Sequence, residues 1–216
     1  MRSLLLVGSG DPARALASGA DALAVDAATA AAYAGGPALY LRFGGLDDPG
    51  AAGALARAAA LRPRGLVLPG STGGGDVQRL GARLAVEEAL LGLPDGTLRV
   101  LVFATETPQA IFGLASYRGA SDRLDGLLWS ASPLDAVLGA SGARRGAADG
   151  PFRLARNLTL FAARAAGTLA LDAPYPDIGD LDGLRAEAEA ARADGFDGKA
   201  ALDPAQVAVI NAVFGG

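Results

Sequence analysis

The chain contains no cysteine and no histidine. That removes thiol nucleophiles, zinc fingers, iron–sulfur ligation, Ser-His-Asp triads and His-based metal triads together. A metal would have to rest on oxygen ligands, which favours Mg²⁺, Mn²⁺ or Ca²⁺. Aromatic residues make up only 6% of the 216, and lysine is reduced to one residue, Lys199. All other cations are Arg, which with the heavy use of Ala reads as a coding bias. Basic residues are also in the minority, 19 against 23 acidic, for a net charge of -4. With no basic run, nucleic acid is not an expected partner. No apolar stretch of about 20 residues is free of charge, so no membrane span is expected. The apolar part of Met1-Arg2-Ser3-Leu4-Leu5-Leu6-Val7 is too short for a secretory leader. The absence of Cys accords with the cytoplasm, the expected location.

What is present is an alternation of short apolar runs and helical patterns. The strand candidates are Leu4–Val7, Ala22–Val25, Ala38–Arg42, Gly65–Pro69, Arg99–Ala104, Gly126–Ser130, Thr168–Asp172 and Asp197–Ala201. Most are apolar throughout, as parallel strands covered on both faces must be. Helical patterns fall at 11–18, 49–61, 73–90, 107–118, 133–139 with 151–166, 180–194 and 204–213, with a weaker one at 27–34. Asp11-Pro12, Asp48-Pro49, Thr107-Pro108, Ser132-Pro133 and Asp203-Pro204 each set a capping oxygen before a proline, a helix-start signal. Glu187 and Glu189 with Arg185 and Arg192 read as a solvated helix face. Gly139–Gly150, with Arg144-Arg145, reads as a mobile loop between two helical pieces.

Eight β/α units in one chain predict a single TIM (β/α)₈ barrel domain over residues 1–216, with a doubly wound open sheet as the alternative. In a barrel, chemistry sits at the C-terminal strand ends. Those ends read Gly8, Asp26, Arg42, Gly70, Glu106, Ser130 or Ser132, Asp172 and Asp203, and would face one mouth. Arg42 ends the run Ala-Leu-Tyr-Leu, where a guanidinium suits a substrate carboxylate; the alternative is a structural pair with Asp26 or Asp47. Glu106 could bind a divalent ion or interact with the following helix N-terminus. Asp203 reads as an N-cap, and Asp26 and Asp172 could each cap a short turn. Gly70-Ser71-Thr72-Gly73-Gly74-Gly75-Asp76 could cradle a phosphate, but it lacks a P-loop ending and a plain loop is the stronger reading. Arg42, Gly70, Ser132 and Asp172 are the candidate substrate-holding residues, with Arg42 and Asp26 the candidate catalytic pair.

The segments together resemble the HpcH/HpaI aldolase / citrate lyase beta-subunit family. The resemblance is carried by Ala162-Ala163-Arg164-Ala165-Ala166-Gly167, Gly183-Leu184-Arg185-Ala186-Glu187-Ala188 and Gly195-Phe196-Asp197-Gly198-Lys199-Ala200. It continues in Pro204-Ala205-Gln206-Val207 and Asn211, and earlier in Arg2-Ser3-Leu4, Ala17-Ser18-Gly19-Ala20-Asp21-Ala22 and Leu68-Pro69 with Asp76-Val77. It implies a TIM barrel that makes or breaks C–C bonds in CoA thioesters or 2-oxo acids, usually with Mg²⁺ as Lewis acid. On the resemblance, Arg42 grips the substrate carboxylate, Glu106 binds the metal and Asp26 is the first acid of an acidic segment.

Departures follow the same alignment. The next two acids of that segment are Ala28 and Thr29, the family Lys is Gly70, the second metal-ligand Asp is Pro133, and the family His is Asp203. The chain ends at Gly216, where many relatives continue with a helical lid. The resemblance therefore implies a C–C lyase or aldolase with a degraded metal site and weak Mg²⁺ binding. The alternative is a non-catalytic binding or partner subunit of an active paralogue. Either acts on a small anionic substrate and forms a homo-oligomer, a trimer by family habit.

Overall fold

In the computed structural model, residues 1–8, 10–139 and 150–215 are described. Eight parallel strands close into a barrel in sequence order, with the last pairing the first. They are β1 (Ser3–Leu6), β2 (Ala22–Asp26), β3 (Ala38–Arg42), β4 (Gly65–Leu68), β5 (Arg99–Phe103), β6 (Leu124–Leu128), β7 (Leu169–Asp172) and β8 (Gly198–Ala201). The helices are α1 (Pro12–Leu16), α2 (Ala51–Ala60), α3 (Gly74–Leu91), α4 (Pro108–Gly113), α5 (Ala131–Leu138), α6 (Pro151–Ala166), α7 (Leu181–Asp194) and α8 (Pro204–Phe214). The closed barrel replaces the open-sheet alternative.

Apolar side chains form two layers because each strand is buried on both faces. Leu4, Ala22, Ala24, Tyr40, Val67, Leu101, Leu128, Leu171 and Ala200 fill the barrel interior. The small Ala side chains of β2 and β8 leave room for Tyr40 and the larger Leu residues, as a filled barrel requires. The outer strand faces pack beneath the helices, with Leu23, Leu66, Leu84, Leu127 and Ile210 buried there. At the N-terminal end, Asp125 accepts from Tyr40 Oη (2.6 Å), Arg99 Nε (2.7 Å) and Arg64 Nε (3.1 Å). This polar plug closes the barrel floor and leaves the opposite end open.

Three of the five proline-flanked caps form as the sequence suggests. Asp11, Thr107 and Asp203 accept from the backbone N–H of Ala13, Ala110 and Ala205. The other two do not. Asp48 accepts from Gly45 N at 2.6 Å, and α2 starts later, behind Gly50. Helix α5 starts at Ala131, so Pro133 is its third residue rather than its first. It is tolerated because first-turn N–H groups have no intrahelical partner. The pattern at 107–118 divides into α4 and a 3₁₀ turn over Leu114–Tyr117, and 27–34 contains only the 3₁₀ turn Ala30–Tyr33. Gly113 marks the close approach at that division, since a Cβ there would strike the carbonyl oxygen of Thr72. Most of the expected loop Gly139–Gly150, including Arg144 and Arg145, lies outside the described residues.

Candidate functional site: a charged mouth and a saturated flank

Side-chain alternation decides what each strand offers the mouth. In β2 and β3 the interior positions run Ala22, Ala24, Asp26 and Tyr40, Arg42, and Asp26 pairs directly with Arg42 across the two strands. Both therefore project at the C-terminal opening. Arg42 Nε donates to Asp26 Oδ1 at 3.0 Å, and Nη2 donates to the Val7 carbonyl at 2.6 Å. Two of the five guanidinium N–H donors are so engaged, which fixes the plane and leaves a donor edge. The pair with Asp26 that the sequence allowed is real; Asp47 instead takes Arg79, at 3.0 Å.

Glu106 follows β5 at the same end of the barrel. Its Oε2 accepts from the Gly70 N–H at 2.5 Å, and it forms no salt bridge with a described residue. Burial raises its carboxyl above the ordinary glutamate value, and the Gly70 N–H only partly offsets that. Gly70 holds φ +63, a left-handed conformation natural to glycine, so its N–H serves Glu106. The adjoining Gly-rich loop is no phosphate cradle. Asp76 Oδ2 accepts from Thr72 N (2.7 Å) and Thr72 Oγ1 (3.1 Å), and Gly74 N donates to Ser116 Oγ.

Asp172 does not join this mouth, which corrects the expectation from its strand-end position. In β7 Leu171 faces the barrel interior, so Asp172 turns outward and is buried against α6 and α7. Its carboxylate accepts from Trp129 Nε1 (2.6 Å), Arg156 Nε (2.9 Å) and Lys199 Nζ (2.7 Å). Lys199 also reaches Glu187 at 2.6 Å, and Arg156 reaches Asp194 at 2.7 Å while stacking 4.5 Å from the Phe196 ring centre. Burial would raise the Asp172 carboxyl, but Lys199, Arg156 and Trp129 outweigh it and hold the carboxyl below the ordinary aspartate value. Glu187 is thus not part of a solvated face, and Arg192 donates to the Val213 carbonyl. The one available sequence signal was Lys199 itself: a lone lysine inside an apolar strand must be paired if buried.

Ser132 is exposed in the first turn of α5 and lines a flank pocket of about 350 Å³ rather than the mouth. Asp203 serves as the α8 cap, as its sequence context indicated.

A divalent ion at the mouth would have to rest on side-chain oxygens. Glu106, the carboxylate that the resemblance assigned to a metal, already accepts from the Gly70 N–H on one of its oxygens. Pro133 offers no side-chain oxygen, and Asp135, two residues on in α5, is buried. No group of three Asp or Glu residues within metal-binding reach of one another exists among the described residues. Mg²⁺ takes near-octahedral oxygens and keeps several waters, and of Asp26 and Glu106 only Glu106 is not already paired with a cation among the described residues.

Fold and site together define a TIM barrel whose C-terminal mouth carries an oriented Arg and a separate half-buried carboxylate. A model described as HpcH/HpaI aldolase/citrate lyase matches residues 7–204, and the chain belongs to that family. A citrate lyase subunit beta-like protein of Mycobacterium tuberculosis is 42% identical over 99 residues, 44% of this chain and 36% of that protein. A (3S)-malyl-CoA thioesterase of Cereibacter sphaeroides is 38% identical over 138 residues, 62% of this chain and 45% of that protein. The matched stretches thus span less than half the length of these curated relatives. Among solved structures, the chain is similar to the protein CitE of Mycobacterium tuberculosis in complex with magnesium and acetoacetate. The TM-score is 0.74 at 28% identity, covering 99% of this chain and 90% of that one. No helix among the described residues is long and apolar enough to cross a membrane.

Proposed function

We propose that residues 1–216 act as one barrel domain that binds a small acid at the mouth and cleaves or forms a C–C bond in it. The acid is a 2-oxo acid or the acid end of a CoA thioester. The observation that carries this reading is Arg42: its plane is fixed by Asp26 and Val7, and a donor edge remains for a carboxylate. Asp26 is a positioning residue, and Gly70 serves by orienting Glu106. In the cleavage direction Glu106 takes the proton of a β-hydroxyl group, and the C–C bond breaks with its electron pair moving to the α-carbon. The same carboxyl then returns that proton to the α-carbon. The raised carboxyl of Glu106 suits such two-way transfer. The crystal complex of the CitE relative contains magnesium; an ion held here by Glu106 would supply Lewis-acid stabilisation of the developing enolate charge.

The reading includes a cytoplasmic homo-oligomer, up to a trimer, supported by the exposed Phe112, Leu154 and Phe161 on α4 and α6. Pro133 favours a second reading, a barrel that holds the acid without turnover beside an active paralogue. Calorimetry with pyruvate and acetoacetate, with and without Mg²⁺, tests the binding; product analysis with a β-hydroxyacyl thioester separates the two readings. Acid binding that survives Arg42→Ala would overturn both.

A further inference from the structure

Beneath the polar plug, at the N-terminal end of the barrel, lies a groove of about 470 Å³ lined by Arg99, Leu124, Asp125, Arg164, Thr168 and Leu169. It opens at the feet of β5, β6 and β7, the opposite end of the barrel from Arg42 and Glu106. Its volume is in the range of small-ligand sites. A register shift shapes its wall. Val100 pairs with Leu124 and Leu101 with Gly126, so Asp125 is the extra residue of a bulge in β6. A bulge re-aims a side chain, and this one brings the Asp125 carboxylate to Tyr40 and Arg99.

Charge in this cluster is not balanced. Asp125 is a single carboxylate, yet it pairs with both Arg64 and Arg99. Arg164 is matched by Asp197 alone. Three guanidinium groups thus share two carboxylates. Their donors are not used up either. Arg99 gives only Nε to Asp125, so its two Nη groups have no partner among the described residues. Arg164 gives its Nη groups to Asp197 and to the Gly195 carbonyl, and its Nε has no partner among the described residues. Asp125, by contrast, is filled by Tyr40, Arg99 and Arg64 and leaves no free base in the groove. The groove can hold an anion but carries no group to react with it.

We propose that this groove binds a phosphate group, free or carried by a small phosphate ester. A phosphate presents its oxygens in a tetrahedron, so it can accept from the Nη edge of Arg99 and from Arg164 together. A planar carboxylate is matched by one guanidinium fork. The anion also takes up the positive charge that Asp125 leaves uncompensated. Half-buried Leu169 offers an apolar wall to the body of an ester. Thr168 adds no donor, because its hydroxyl is committed to the Leu124 carbonyl at 3.0 Å. The site stands apart from the acid site at the mouth and does not depend on it.

Calorimetry at about pH 8, where phosphate is a dianion, tests this with inorganic phosphate and with glycerol 3-phosphate. Saturable binding is expected, with the same midpoint in the wild type and in Arg42→Ala. Arg99→Gln should weaken it at least about tenfold, the loss of a hydrogen bond between charged groups. Arg64 and Tyr40 still fill Asp125 in that variant, so its melting temperature should hardly move. Arg164→Gln, at a half-exposed side chain, should weaken binding as well, and it decides the question if the first variant does not fold. Tighter binding of glycerol 3-phosphate supports an ester as the occupant, and tighter binding of inorganic phosphate supports the free anion. No saturable binding of either probe would overturn the proposal. So would binding that both arginine variants leave intact, or binding that Arg42→Ala abolishes. Acetate binding to Arg42→Ala as tightly as phosphate would overturn it too, because the groove would then not select a tetrahedral anion.

Discussion

The mouth and the flank cluster use the same residue types to opposite ends. On the flank, Asp172 meets two cations and an indole N–H, and Lys199 bridges it to Glu187, so little charge is left without a partner. At the mouth, Glu106 has one backbone N–H and no cation among the described residues, while Arg42 keeps part of its donor edge. Both regions draw on strand ends, Asp26 and Arg42 at the mouth and Asp172 on the flank, where α6 and α7 add Arg156 and Glu187. The difference teaches that position at the end of a barrel strand does not by itself mark function. A saturated cluster holds elements together, and an incompletely satisfied one is where a ligand gains most by arriving.

The sharpest way to break the comparison is on the flank. Lys199→Ala leaves two carboxylates facing a buried void, and is expected to lower stability by about 3–5 kcal/mol in urea unfolding. A loss under about 1 kcal/mol would mean that the cluster is better solvated than its burial indicates. Acid should act on the same cluster. The Asp172 carboxyl sits lower folded than unfolded, so its stabilisation is full above about pH 4 and is lost as pH falls toward the folded-state value. Asp172→Asn should flatten that acid limb of the stability profile; an unchanged limb would assign it to other carboxylates.

At the mouth the effects shift from stability to binding. Arg42→Ala should weaken acid binding roughly ten- to hundredfold, the range of a hydrogen bond to a charged group, with little change in unfolding. A large stability loss with unchanged affinity would make Arg42 another flank-type residue. Pro133→Asp restores a carboxylate at the position that the resemblance gives to the second metal ligand, and calorimetry should show Mg²⁺ affinity rising by about tenfold. Tight Mg²⁺ binding to the wild type, abolished by Glu106→Ala, would show that another oxygen already completes the set. The smallest effect is expected from Asp26→Asn. The exposed pair with Arg42 contributes under about 1 kcal/mol, so thermal unfolding should hardly move while acid affinity falls a few-fold.

Much of the mouth was legible because Asp26 and Arg42 interrupt apolar runs at the point where a strand should end. The resemblance carried by Gly195–Ala200 and neighbouring segments pointed to Glu106 and to the gap at Pro133. Helix starts at Asp11, Thr107 and Asp203 were legible from a capping oxygen next to proline. The same signal misled at Asp48, because a nearby backbone N–H, that of Gly45, was the better partner. It misled at Ser132 because α5 begins before the proline. Glu187 was misread because a helical wheel shows which residues share a face but not that a lysine from another element reaches one of them.

The sequence by itself determined eight apolar segments, their alternation with helices, the absence of thiol and imidazole chemistry, and a mouth containing Arg42 and Glu106. Tertiary structure alone decided the direction of Asp172. The run Leu169-Ala170-Leu171-Asp172 has no apolar–polar alternation, because a barrel strand is buried on both faces and sequence period cannot distinguish inside from outside. Only closure of β7 between β6 and β8 sends Leu171 inward and Asp172 out to Lys199, which separates the saturated flank from the open mouth.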